Sequence, residues 1–225
     1  MKRNWMENDV GDMGVGAMIV FIAMVLVAGI AAAVLVQTAN RLEIQAMQTG
    51  EQTKGEVATG TQILDIEGHY YARNASSILR SRIHNMTITI APRSGSLDVD
   101  LATTVVEISN SSVKCLLTYA GSTKYATAAS NSGVFLSTGT GSVFDIAAYQ
   151  FGVIELEDAD ASSSGATPVI NRGDKVMLTI NLTACFHGLT VRQDVWGQVM
   201  PEEGSPGAFA FRTPASFTDV VYDLY

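Results

Sequence analysis

Histidine and cysteine are scarce, and that removes the commonest metal and redox chemistries. The 225 residues hold two cysteines, Cys115 and Cys185, and three histidines, His69, His84 and His187, none of them clustered. This is not a zinc pattern. Basic residues are also few, with 14 Lys and Arg against 22 Asp and Glu, for a net charge of −8. No basic cluster exists to release counterions from phosphate, so neither nucleic acid nor an anionic membrane surface is an expected partner. Catalytic signatures are missing as well. There is no G-x-S-x-G elbow, no phosphate-cradling G-x-x-x-x-G-K-[ST], no H-E-x-x-H and no C-x-x-C, so neither an enzyme nor a cofactor is expected.

Charge is also missing from Met13 to Val36. A helix over about 22 of those residues is roughly 33 Å long at ~1.5 Å per residue, matching the ~30 Å hydrocarbon core of a bilayer. The run is too long for a secretory signal, whose apolar region is ~7–15 residues. Two readings remain: a plain membrane anchor, or a subunit that stores its helix in the membrane and later packs it against copies of itself. Small residues favour the second. Gly14, Gly16, Ala28, Gly29 and Ala33 lie among Ile, Val, Leu, Met and Phe21, and they let backbones approach closely; Gly29 and Ala33 form a small-xxx-small pair. Lys2 and Arg3 ahead of the run keep residues 1–11 cytoplasmic and send the rest of the chain outward.

Beyond Val36, Ala39, Leu42, Ala46 and Met47 recur at helical spacing, so the helix outlasts the membrane. Gly50, Gly55 and Gly60 each cost about 1 kcal/mol against Ala within a helix, which predicts an end between Gly55 and Gly60. From Thr61 the period falls to two. Residues 63–71, 86–90, 103–108, 113–119 and 175–182 read as strands, with Ser-, Gly- and Asn-rich loops such as 128–133 and 158–165 between them. Ser76 to Arg82 fits a short helix instead. The expected fold is α+β: a long N-terminal hydrophobic helix over 12–60 and an immunoglobulin-like antiparallel β-sandwich over 61–225, behind a leader of 1–11.

Three kinds of candidate site stand in the β-rich part. Cys115 and Cys185 both fall in segments read as strands and can pair if the domain is extracellular. The acidic run Glu155, Glu157, Asp158 and Asp160 offers oxygens for a structural calcium ion, although solvated loop charge is the simpler reading because the EF-hand glycine and distal glutamate are missing. Four Asn-x-[ST] sequons, at Asn74, Asn85, Asn110 and Asn181, are candidate N-glycosylation sites, of which at least two are expected to be modified.

The residues from Gly14 to Ala28, with Thr38-Ala-Asn40 and Ala46 to Glu51, resemble the amino-terminal signature of the archaellins, filament subunits of the archaeal motility organelle. Gly173 to Leu182 and Arg212 to Phe217 are similar to that family's carboxy-terminal pattern, whereas residues 95–165 match poorly. The resemblance implies removal of the leader by a prepilin-type signal peptidase between Gly11 and Asp12, which leaves the net charge at −8. Asp9 and Val10 stand where family leaders usually carry a basic residue, so cleavage after Gly14 is the alternative. Further implications are a precursor in the cytoplasmic membrane, an assembly ATPase and membrane platform as partners, and an extracellular filament built from this chain alone or with related subunits. An adhesive type IV-like pilin is the rival from the same class, although such pilins generally carry glutamate at the fifth mature position, which is Gly16 here. A membrane-anchored binding domain is the rival from outside it.

Overall fold

The computed structural model describes residues 6–70, 82–130, 134–135 and 142–225, with side chains from Met13 onward. Two units result, one reaching Thr53 and the other running from Lys54 to Tyr225. Helix α1 (Met6–Ala58) has 53 residues and contains no proline, so its ladder of hydrogen bonds runs unbroken for about 80 Å. Its end is set by contacts as well as by propensity. The Thr59 N–H donates to the Gly55 carbonyl, and Gly60 then lies so close to Ser205 that an added Cβ would sit 2.7 Å from the Ser205 carbonyl oxygen. Only glycine lets the chain pass there into the first strand.

The second unit is mostly antiparallel sheet. Its strands are β1 (Thr61–Tyr70), β2 (Ile83–Pro92), β3 (Val99–Asp100), β4 (Val105–Asn110), β5 (Lys114–Tyr119) and β6 (Tyr125–Thr127). They continue with β7 (Gln150–Glu157), β8 (Val169–Ile170), β9 (Lys175–Asn181), β10 (Asp194–Met200), β11 (Gly207–Arg212) and β12 (Val221–Asp223). Hydrogen bonding follows the order β11-β10-β4-β5-β7-β9-β2-β1-β12, with β6 beside β7 and a separate β3–β8 pair. The inward side chains of both halves share one core: Ile108, Leu117, Val195 and Phe209 from the first four strands of that order meet Ile66, Ile88, Phe151 and Leu178 from the rest. That shared core makes the unit a sandwich. Its two halves also approach at an edge, where the Gly207 N–H donates to Thr61 Oγ1.

Two pairings depart from the antiparallel expectation: β5 and β6 each run parallel to β7. Parallel neighbours need a long crossover, and the segment 120–149 supplies one. Part of it forms a further layer, in which Phe135, Val143 and Phe144 bury Ile154 and pack on Met177. Gly152 makes room for that layer, because a Cβ there would meet Thr179 Oγ1 at 2.6 Å and the carbonyls of Lys124 and Val143 at 2.9 Å.

The end of the strand read at 175–182 needs correcting. Asn181 closes β9 and caps a short helix, α2 (Leu182–Phe186), by accepting the N–H groups of Thr183 and Ala184. Leu182 and Cys185 are therefore helical. The reason is local: a cap side chain satisfies orphan donors that a continuing strand would have sent to a neighbour. His187, in the left-handed region at φ 59°, ends the turn. Of the short helix read at Ser76 to Arg82, residues 76–81 lie outside the described residues and Arg82 is not helical.

Candidate functional site

The largest unexplained feature is the surface of α1. From Met13 to Val36 every large apolar side chain is more than half exposed, Phe21 reaching 68%. Burying such a side chain stabilises by about 1.5–3 kcal/mol relative to water, so the run represents tens of kcal/mol that the isolated chain does not recover. The glycines point the same way. A Cβ added at Gly14, Gly16 or Gly29 meets nothing within 4 Å, so no contact among the described residues calls for glycine at these positions, although each lowers helix propensity. Ala28 and Ala33 are equally exposed on the same helix. Gly11 and Asp12 lie within the backbone of α1.

The sequons are placed unequally. Asn74 lies outside the described residues. Asn110 is buried, and its Oδ1 accepts the N–H groups of Ser112 and Val113. Asn85 and Asn181 are partly exposed and face each other across β2 and β9. Asn181 spends its Oδ1 on the α2 cap.

The acidic run separates into parts. Glu155 accepts from the Tyr125 hydroxyl and Glu157 pairs with Lys175 at 2.7 Å, so neither joins a cluster. Burial, then the bond to Glu155, pushes the Tyr125 pKa up. Asp158 and Asp160 instead meet Asp174, their oxygens lying within 4.8 Å of one another, and among the described residues these three could hold a metal ion. Asp174 is distant in sequence, which hid it. All three carboxylates already accept hydrogen bonds: Asp158 from the N–H groups of Asp160, Ser162 and Ser163, Asp160 from Ser162 and the Asn171 side chain, and Asp174 from the N–H groups of Ala159 and Asn171. The bonds from Ser162 and Asn171 hold the Asp160 carboxyl below its usual range.

An uncovered apolar helix followed by a β-sandwich is a layout that comparison with known proteins resolves. The family model for archaeal-type flagellin matches residues 11–211. The chain belongs to the archaeal-type flagellins. Flagellin B3 of Methanocaldococcus jannaschii is 36% identical over the full length of both chains. Flagellin B2 of the same organism is 39% identical, covering 95% of this chain and 93% of its own. Among solved structures, the crystal structure of archaeal flagellin FlaB1 from M. jannaschii matches with a TM-score of 0.62 and 29% identity, over 74% of this chain and 97% of that one. The archaeal flagellum of Methanospirillum hungatei shares the fold, with a TM-score of 0.58 at 12% identity, over 94% of this chain and 98% of that one. This flagellin is a structural subunit of a cell-surface filament, and its long helix and mostly antiparallel β domain are the family's.

In this flagellin Cys115 of β5 is disulfide-bonded to Cys185 of α2, with Cα atoms 6.4 Å apart. The bridge ties together the two halves of the sandwich, since α2 follows directly from β9. Sequence reading missed β7, β10 and β11 altogether, and Glu155 and Glu157, read as loop charge, stand in β7. Gly197 in the middle of β10 argues against a strand, and Gly-Ala-Phe-Ala-Phe-Arg has weak strand propensity at its alanines. The signal was alternation: Val195, Val199, Phe209 and Phe211 point inward, and Gly197 is glycine because an added Cβ would collide with the Glu107 carbonyl and the Phe209 ring.

Proposed function

We propose that this flagellin is made as a membrane precursor and is cut between Gly11 and Asp12 by a prepilin-type peptidase. It then polymerises through α1 into a rotating filament that drives swimming. The observation that carries the reading is the apolar surface of α1, together with its glycines that no contact among the described residues explains. Lipid and filament core are both apolar, so transfer between them gains little from the hydrophobic effect; close packing at Gly29, Ala28 and Ala33 has to favour the polymer. The small driving force is the reason to expect an assembly ATPase and a membrane platform as partners. Contacts that do not close into a ring give an open helical polymer. The flagellin works by transmitting torque and performs no catalysis.

Outside the core, partly exposed Asn85 and Asn181 are the described sequons best placed to carry glycans. Intact-mass measurement tests this, and a bare polypeptide mass would remove it. The decisive experiment for the main reading is amino-terminal mass mapping of sheared extracellular filaments, paired with a swimming assay of the deletion strain. A terminus at Asp12 and lost swimming support it. Filaments with normal swimming in their absence would favour an adhesive pilus, and an intact leader found only in membranes would favour a plain anchor.

A further inference from the structure

We propose that Thr59 is the positioning residue of a clamp that fixes the last turn of α1 to the β domain, so that torsion in that turn reaches the sandwich without a compliant linker. The clamp stands on the geometry of the chain, and its part in carrying torque rests on the filament reading. A connection between helix and strand is ordinarily where a chain flexes, because its backbone groups face solvent. Here the connection is buried: Ala58 is exposed, whereas Thr59 is 3% exposed and Gly60 is buried beside it.

Two turns close on it, residues 93–97 after β2 and residues 201–206 between β10 and β11. From the second turn, the Ser205 N–H donates to the Thr59 carbonyl at 2.8 Å, and the Thr61 N–H donates to the Ser205 carbonyl at 3.2 Å. From the first, the Leu97 N–H donates to Thr59 Oγ1 at 3.2 Å and the Arg93 N–H to the Gly60 carbonyl at 2.9 Å, while Ser96 Oγ accepts the Gly60 N–H at 3.4 Å. The Thr59 N–H goes to the Gly55 carbonyl, so both backbone groups of Thr59 and of Gly60 have partners. Groups already paired gain nothing by turning toward water. Thr59 joins the two turns, its carbonyl engaging one and its hydroxyl the other.

Close approach enforces the same fit. Gly204 lies at φ 95°, where glycine is favoured, and a Cβ there would collide with the Thr59 carbonyl. Leu97 lies against Gly55, so that a Cβ on Gly55 would stand 2.8 Å from Leu97 Cδ1. Gly204 sits in an exposed turn outside the hydrophobic core, so its contact with Thr59 serves the connection and not the packing of the sandwich. The last helical turn, from Gly55 to Ala58, accordingly belongs to the same compact unit as the sheet, which begins at Lys54.

Amide hydrogen exchange of detergent-dispersed full-length subunits tests the clamp. The amides of Thr59, Gly60 and Thr61 are expected to exchange as slowly as those of β9, at least ~100-fold slower than a free peptide. Exchange at the free-peptide rate overturns the inference. Gly204→Ala drives a Cβ against the Thr59 carbonyl, and Thr59→Val removes the acceptor for Leu97. Each is expected to speed exchange at 59–61 by about tenfold while β9 keeps its protection. Equal speeding in β9 would make these groups an ordinary part of the sandwich and also overturns the inference. Ser96→Ala, which removes the Gly60 contact, supplies the same comparison if neither variant folds. In filaments of the variants, electron-microscopic reconstruction is expected to keep the helical core and to blur the β domains. Variant β domains as sharp as wild type overturn the torque coupling. If wild-type cells yield no filaments, the filament reading fails and the torque coupling with it, while exchange still decides the clamp.

Discussion

Asp174 shows how a single residue can hold a loop. It is 2% exposed, and its two carboxylate oxygens accept the N–H groups of Ala159 and Asn171. Asp174→Ala leaves both donors without this acceptor and is expected to cost roughly 1–3 kcal/mol, with Asp174→Asn intermediate because one acceptor remains; chemical denaturation of detergent-dispersed subunits checks both. His69 sets a pH dependence. Burial, then the charge of His84, holds its imidazole below the usual range, and its ring stacks on Phe135 at 4.8 Å. The folded state therefore favours the neutral ring. That contribution is complete above the ordinary histidine pKa of about 6.5 and is lost as pH falls toward the lowered folded value, where the unfolded chain binds the extra proton. Thermal melts should fall below pH ~6.5, and His69→Gln should flatten that slope. An unchanged slope would assign the acid sensitivity to other groups.

At the scale of elements, α1 and α2 fail differently when altered. Gly29→Leu places a large side chain where no described residue lies within 4 Å of the new Cβ. It should leave the melting of the β domain within about 0.5 kcal/mol of wild type, as surface substitutions do, while abolishing filaments seen by electron microscopy. Normal filaments would contradict the packing argument. Asn181→Ala removes the cap of α2 and should cost about 1 kcal/mol of domain stability, read by thermal unfolding. Gly152→Ala tests the added layer. With three neighbours inside 3 Å of the new Cβ, overpacking is expected to cost ~1–3 kcal/mol.

For the whole molecule, stability has two separate sources. The β domain is closed by its core and by the Cys115–Cys185 bridge, which spans 70 residues of sequence. A loop of that size removes about 4 kcal/mol of unfolded-state freedom, so reduction should lower Tm by roughly 10 °C. An unaltered Tm after verified reduction would mean the bridge contributes no stability. The apolar run of α1 is left exposed among the described residues. With tens of kcal/mol of apolar surface at stake, filaments should resist dilution and yield to detergent, as light scattering can follow.

The sequence alone determined the long helix, its end near Gly60 and the β-rich character of the remainder, because these depend on residues close together in the chain. A run without charge, glycines spaced at 50, 55 and 60, and alternation over 63–71 need no distant partner to be read. It could also place Gly29 and Ala33 on one helix, since helical spacing is local. Tertiary structure decided the rest. Asp174 joins Asp158 and Asp160 only because β9 lies beside β7, and Glu155 and Glu157 leave that group because Tyr125 and Lys175 claim them. Gly197 fits a central strand only because Phe209 and Glu107 close over it.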